Sequence, residues 1–218
     1  MSRTKEREAI RMKILLINGS PHEKGCTYTA LCEVASAARE AGAETEIFHI
    51  GNGPQRGCIA CGACRRSGKP DICAFPDEIY TALVEKMEEA DGIVIGSPVY
   101  YAGPNGSLCA LLDRVFFSHG KAFAGKPSAC VVSCRRGGAS SSFDRLNKYF
   151  TINRMPVVSS TYWNSVHGMK PEEVLQDLEG LQVMRTLGRN MVWMIKNLEK
   201  GGEELPHREK GIATNFIR

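Results

Sequence analysis

The sequence predicts an α/β fold, a three-layer sandwich whose five-stranded parallel sheet has strand order 2-1-3-4-5 and helices on both faces. Three observations point to it. Residues 12–18, 92–97 and 128–133 are near-continuous apolar runs, as in strands buried on both faces. Segments that read as helices alternate with them, which requires right-handed crossovers and a parallel sheet. The runs end in loops rich in Gly, Ser and Pro, on the side where such sheets hold ligands, at the switch between strands 1 and 3.

The elements follow in order. Strand one covers 12–18, and a helix over 26–41 is closed by Gly42. Residues 44–50 alternate as strand two, and 51–74 form an irregular loop rich in Gly and Cys. Pro76, Asp77 and Glu78 mark a helix start that runs to Ala90. Strand three is 92–97, followed by a loop to Gly106 and a helix over 107–117. Strand four is 128–133, with a helix over 141–150. A short fifth strand is expected at 156–160, and one long helix at 171–199. The whole chain, 1–218, reads as a single domain with a core of 12–199 and peripheral tails at 1–11 and 200–218.

The net charge of +4 is too mild for a nucleic-acid surface. No apolar run has the length of a membrane span. The polar start, Met1 to Arg11, has no signal-like core, so a cytoplasmic location is expected. Nine cysteines is an odd number, which suggests reduced thiols or a metal rather than a disulfide framework.

Three loops carry the chemistry. The first spans Gly19 to Thr27, with Ser20, Pro21, His22, Gly25, Cys26 and Thr27 as candidate binding residues. Hydroxyls and the free N–H groups of a helix start suit a phosphate monoester. The spacing matches neither a dinucleotide fingerprint nor a Walker loop. The second loop, Pro98-Val99-Tyr100-Tyr101-Ala102, offers a stiff apolar platform for a flat ring. The third, Ser133-Cys134-Arg135-Arg136-Gly137-Gly138, offers backbone amides and arginines to that ring's polar edge. Each loop alone is also an ordinary turn.

Together, Gly19-Ser20-Pro21 through Thr27, Gly96-Ser97-Pro98-Val99-Tyr100-Tyr101 and Leu112-Asp113-Arg114 resemble the NADPH-dependent FMN reductase branch of the flavodoxin-like proteins. The resemblance covers about residues 12–165 and extends to Tyr162-Trp163-Asn164 and Val166-His167-Gly168. It implies FMN, with phosphate on the first loop and isoalloxazine between the second and third. Cys26 stands where relatives often carry Asn or Ser, and Arg135-Arg136 where they are often glycine-rich. A homodimer or homotetramer is implied by the same analogy. Asp113 and Arg114 read as structural. Tyr162, Trp163 and Asn164, placed after strand five, are expected to line the open face of the pocket.

Cys58, Cys61, Cys64 and Cys73 crowd one segment with gaps of two, two and eight residues. Such gaps let thiolates converge, in a spacing close to that of ferredoxins. Here the resemblance is to the iron–sulfur flavoproteins, and it implies a 4Fe–4S cluster on these four residues. Reduced thiols, a handling disulfide or four-thiolate zinc are the alternatives. Arg65, Arg66 and Lys69 lie in the last gap, where they can offset an anionic cluster. Cys26, Cys32, Cys109, Cys130 and Cys134 read as buried small hydrophobes.

The cofactor carries the hard chemistry, and no protein acid–base residue is required. The first expectation is an FMN-dependent NAD(P)H oxidoreductase acting on a small acceptor such as a quinone, flavin, azo or nitro compound. The alternatives are an iron–sulfur flavoprotein exchanging electrons with ferredoxin, and a flavin-containing redox-sensing module. The physiological acceptor and the choice of NADH or NADPH are not legible here.

Overall fold

The computed structural model describes residues 12–66, 72–207 and 209. The expected tail 1–11, Lys69 and the end of the chain from 210 lie outside the described residues. In chain order the elements are β1 (Lys13–Asn18), α1 (Cys26–Glu40), β2 (Glu44–His49), α2 (Ala63–Arg66), α3 (Glu78–Glu89), β3 (Gly92–Tyr100) and β4 (Gly103–Pro104). They continue with α4 (Gly106–His119), β5 (Ser128–Cys134), α5 (Ala139–Ile152), β6 (Ser165–His167), α6 (Pro171–Val174) and α7 (Leu178–Gly201). The parallel sheet has the order β2-β1-β3-β5-β6, the flavodoxin-like order that the sequence predicts.

Alternation along the central strands builds two cores. Ile14, Leu16, Val94, Ala129 and Val131 face α1 and α7. Leu15, Ile17, Ile93, Ile95, Cys130 and Val132 face α3, α4 and α5. Both faces are apolar because both are covered, which explains the unbroken hydrophobic runs.

Three expected elements differ. Val157 makes a single bridge to Ser128: the Ser128 N–H donates to the Pro156 carbonyl at 2.8 Å, and the Val158 N–H to the Ser128 carbonyl at 2.9 Å. The polar residues that follow then leave the ladder, and Ser160 Oγ donates to the Val183 carbonyl of α7 at 2.7 Å. Asn164 Nδ2 donates to the Cys130 carbonyl at 3.0 Å, standing in for a strand N–H. The ladder resumes at Ser165–His167, so the strand expected at 156–160 lies later in the chain. The helix expected at 171–199 is two helices, because Asp177 accepts from the Gly180 N–H and begins α7 anew. The third strand runs on to Tyr100 and turns back through β4 as a hairpin. Its tip residues Tyr101 and Ala102 both have positive φ, 50° and 59°, as a tight two-residue hairpin turn demands.

Helices α1 and α7 approach closely at Gly188. A Cβ there would overlap the Val34 carbonyl and come within 3.1 Å of Ala37 Cβ. Alanine normally stabilises a helix interior by about 1 kcal/mol relative to glycine. Here overpacking opposes that gain, at a cost of about 1–3 kcal/mol. Gly188→Ala is therefore expected to lower the urea midpoint, and an unchanged or higher midpoint would contradict this packing.

Candidate functional site

Strand β1 ends against β3. The Gly19 N–H donates to the Gly96 carbonyl at 2.9 Å, and Asn105 Nδ2 donates to the Gly19 carbonyl at 2.7 Å. A Cβ on Gly19 would lie 2.8 Å from that Gly96 oxygen, so only glycine permits the approach. The loop then folds on its own polar groups. The Ser20 N–H donates to Asn18 Oδ1 at 3.1 Å, and the His22 N–H to Ser20 Oγ at 3.1 Å. Gly25 caps α1 without a side-chain hydrogen bond, and the first turn holds no acidic residue. The first amides of α1 thus remain for an anion. Thr27 Oγ1 and Ser133 Oγ lie 2.8 Å apart, which ties the first loop to the third. One hydroxyl donates to the other, so one of the pair keeps a proton to offer.

These loops border an open cleft of about 920 Å³ at the carboxyl ends of the strands. Of the predicted binding residues, Ser20, Pro21, His22, Gly25, Cys26 and Thr27 line it from the first loop. Pro98, Val99 and Tyr100 line it from the second, and Ser133, Cys134 and Arg135 from the third. Tyr101, Ala102, Arg136, Gly137 and Gly138 are not among the lining residues. Tyr101 points fully into solvent from the hairpin tip. Ala102 is pinned there, since its carbonyl accepts from Ser141 Oγ at 2.6 Å. Gly138 starts α5 with φ 89°, and a Cβ on it would sit 2.7 Å from Ala102 Cα. It supports the hairpin from behind.

Two segments of the cleft were missed from sequence. His49 ends β2 and Gly51 and Asn52 follow it, and Gly168 to Pro171 follow β6. His49 Nε2 lies 2.8 Å from the Ser20 carbonyl, and the Gly168 N–H donates to the Cys134 carbonyl at 3.0 Å. Topology was the available signal, because the loops after all parallel strands open on one side. Placing the fifth strand at 156–160 moved its loop to Tyr162, Trp163 and Asn164. Those three do not line the cleft: Asn164 is buried under the sheet edge, and the two aromatics are exposed elsewhere.

Neither cysteine of the cleft is activated. Burial raises the Cys26 thiol, helped by the carboxylates of Glu173 and Glu172. Burial also raises Cys134, more than the Arg136 backbone N–H lowers it. Both stay protonated at neutral pH and are poor nucleophiles. Cys130 and Cys134 are buried as expected, whereas Cys26, Cys32 and Cys109 are only partly so.

The four clustered cysteines meet at a second place. Cys58, Cys61, Cys64 and Cys73 all line one small cavity with Arg56, Phe75, Arg114 and Phe117. Left-handed turns at Ala60 (φ 53°) and Gly62 (φ 69°) coil the loop, and the Ala60 N–H donates to Cys58 Sγ at 3.4 Å. The Cys73 N–H donates to Tyr80 Oη at 3.2 Å. Among the described residues no three His, Cys, Asp or Glu side chains converge on a point the size of one ion. Four cysteines on one cavity are the donor set that an iron–sulfur group or a zinc ion requires. The rim is cationic: Arg56 stacks over Phe75 at 4.0 Å and Arg65 over Phe117 at 3.9 Å. Arg66 Nη2 donates to the Cys61 carbonyl. Burial raises the Cys64 thiol, which a bound metal would have to overcome.

Cleft and cavity share one stretch of chain. Asn52 lines the first and Arg56 the second. Four residues of chain span at most about 14 Å, which bounds the separation of the two sites' edges.

The fold and cleft define a flavodoxin-like protein that opens at the carboxyl ends of β1, β3 and β5. The profile of the NADPH-dependent FMN reductase family matches residues 12–170, and the chain belongs to that family. It is a flavin-binding oxidoreductase. An iron–sulfur flavoprotein of Methanocaldococcus jannaschii is 32% identical over 199 residues, covering 87% of this chain and 100% of the relative. One from Methanosarcina thermophila is 29% identical over 198 residues, covering 88% and 100%. In fold, the chain is similar to an NAD(P)H:quinone oxidoreductase from Methanothermobacter marburgensis, with a TM-score of 0.62 and 18% identity over 83% of this chain and 97% of that one. No helix among the described residues is long and apolar enough to cross a membrane.

Asp77 links the cavity to α3. It caps that helix through the Tyr80 N–H at 2.9 Å and pairs with Arg114 at 2.5 Å. Burial pushes its carboxyl up, but the Tyr80 N–H and the Arg114 guanidinium outweigh this and hold it below the usual range. A depressed folded value contributes stability above the unfolded value, near 4, that is lost as pH falls through the folded one. Wild-type stability is expected to decline below about pH 4, and Asp77→Asn to flatten that decline in urea titrations. Identical acid slopes would contradict the pairing.

Proposed function

We propose that this chain is an iron–sulfur flavoprotein that carries electrons between FMN in the cleft and a 4Fe–4S cluster on Cys58, Cys61, Cys64 and Cys73. The observation that carries this reading is that the four cysteines line one cavity, joined by residues 52–56 to the cleft. The relatives named iron–sulfur flavoprotein, aligned over their full length, support it over the simple reductase expected first from the sequence. FMN, when bound, supplies the exchange between two-electron and one-electron chemistry.

The chain's own residues bind and orient. The α1 amides, Ser20 and Thr27 suit the phosphate. Pro98, Val99 and Tyr100 offer an apolar wall to the ring, and the backbone from Ser133 to Arg135 faces its polar edge. Arg56 and Arg65, held on aromatic faces, offset the charge of an anionic cluster. The four cysteines hold the metal as thiolates, and their protons leave on loading.

A second reading keeps NAD(P)H as donor and a small molecule such as a quinone as acceptor. The open face of the cleft beside Tyr100 favours it, since a flat donor can reach the ring there. Ferredoxin is the donor or acceptor class that the cluster reading implies. Exposed Tyr162, Trp163 and Trp193 support self-association into a homodimer or homotetramer.

Anaerobically prepared protein is expected to contain FMN and about four irons with equal sulfide per chain. Cys64→Ser should lose the iron and keep the flavin. Thr27→Val should keep the iron and bind FMN about tenfold more weakly, the loss of one hydrogen bond of about 1.4 kcal/mol. A flavin-free chain would overturn both readings. FMN without iron, bleached by NADPH, would leave the simple reductase. FMN that neither NADH nor NADPH reduces, again without iron, would leave a sensing module.

A further inference from the structure

Arg114 is the one buried arginine among the described residues, its side chain 1% exposed. An isolated guanidinium at such depth is costly unless it is paired and hydrogen-bonded. Three of its contacts are made. Nη1 donates to Asp77 Oδ2 at 2.5 Å and to the Arg56 carbonyl at 3.4 Å, and Nη2 donates to the Phe75 carbonyl at 2.5 Å. Its plane also lies over the Tyr80 ring at 4.7 Å. Yet Nε, buried, has no hydrogen-bond partner. The residue lines the cysteine cavity and interacts electrostatically with Cys73.

The arrangement is polar in one direction. The carboxylate of Asp77 is 44% exposed, on the solvent side, while the guanidinium is inside at the cavity wall. The pair is a fixed dipole whose positive end meets the place where thiolates gather. A buried charge acts there with little screening by water.

We infer that Arg114 is a positioning residue that sets the reduction potential of the metal group held by Cys58, Cys61, Cys64 and Cys73, with Asp77 tempering its charge. This rests on the cluster reading above. The cluster takes up one electron with no bond made or broken in the protein, and the guanidinium keeps its proton. The reduced form carries one more negative charge, so a facing cation stabilises it more than the oxidised form. The charge and hydrogen bonds around the sulfurs are the recognised levers on such potentials. Asp77, by drawing part of that field outward, keeps the potential from rising further.

The test is a dye-mediated redox titration of the anaerobic holoprotein, followed by electron paramagnetic resonance of the cluster, with the FMN potential read in the same sample. Arg114→Gln removes the positive end. It is expected to shift the reduced-to-oxidised ratio at fixed potential at least tenfold toward oxidised, which is about 59 mV downward for one electron. Asp77→Asn keeps the helix cap and frees the guanidinium field, so its shift is upward. The FMN potential moves less than the cluster potential in both. A structural role alone would lower stability or iron content without moving the potential of the clusters that remain. If Arg114→Gln does not load iron, the sign of the Asp77→Asn shift decides. A potential unmoved or lowered in Asp77→Asn overturns the inference while leaving the cluster reading intact. Wild-type protein without iron and sulfide overturns the cluster reading itself.

Discussion

The approach of Gly19 to Gly96 is the constraint on which the site depends. At that point β1 and β3 give up their side chains and join through one backbone hydrogen bond. A Cβ on Gly96 would meet Leu31 and Thr27 of α1 at 2.8 Å, and one on Gly19 would meet Leu108 of α4. Both helices are therefore seated against the strand ends by the absence of two methyl groups. The seat of α1 fixes where its first amides point, and the seat of α4 fixes where Arg114 is buried. One backbone contact thus positions both the cleft and the wall of the cysteine cavity.

In the proposed reading the two sites answer the same problem, holding an anion, by different means. The cleft uses dipoles: the open turn of α1, the hydroxyls of Ser20 and Thr27, and loop amides. Such neutral donors can hold a phosphate ester without a buried charge. The cavity uses full charges, with Arg56 and Arg65 resting on phenylalanine faces and Arg114 inside against Asp77. Thiolates gathered in a confined space need more compensation than dipoles supply. The loop from Gly51 to Arg56 carries the chain from one environment to the other.

Much of this was legible in the sequence. The apolar runs of β1, β3 and β5, alternating with helices, pointed to the parallel sheet, and six residues of the first loop that line the cleft were named, though not Glu23 and Lys24. What was missed has physical causes. The fifth strand is completed by the side chain of Asn164, which no periodicity reveals, and its misplacement hid Gly168 to Pro171. The hairpin at Tyr101 and Ala102 lacks the Asn-Gly or Gly-Gly pair that usually marks such a turn. Its left-handed residues are held instead by contacts with Ser141 and Gly138, which are distant in sequence. Arg114 read as structural from its place near a helix end; its burial against the cysteine cavity is a tertiary fact.

On the proposed reading, Cys58, Cys61, Cys64 and Cys73 hold a polynuclear metal group and not a single ion. X-ray absorption at the iron edge of the anaerobic protein tests it most directly. Iron–iron scattering together with a sulfur shell is the expected result. An isolated metal in a four-sulfur shell with no metal–metal scattering, or zinc in place of iron, would contradict it.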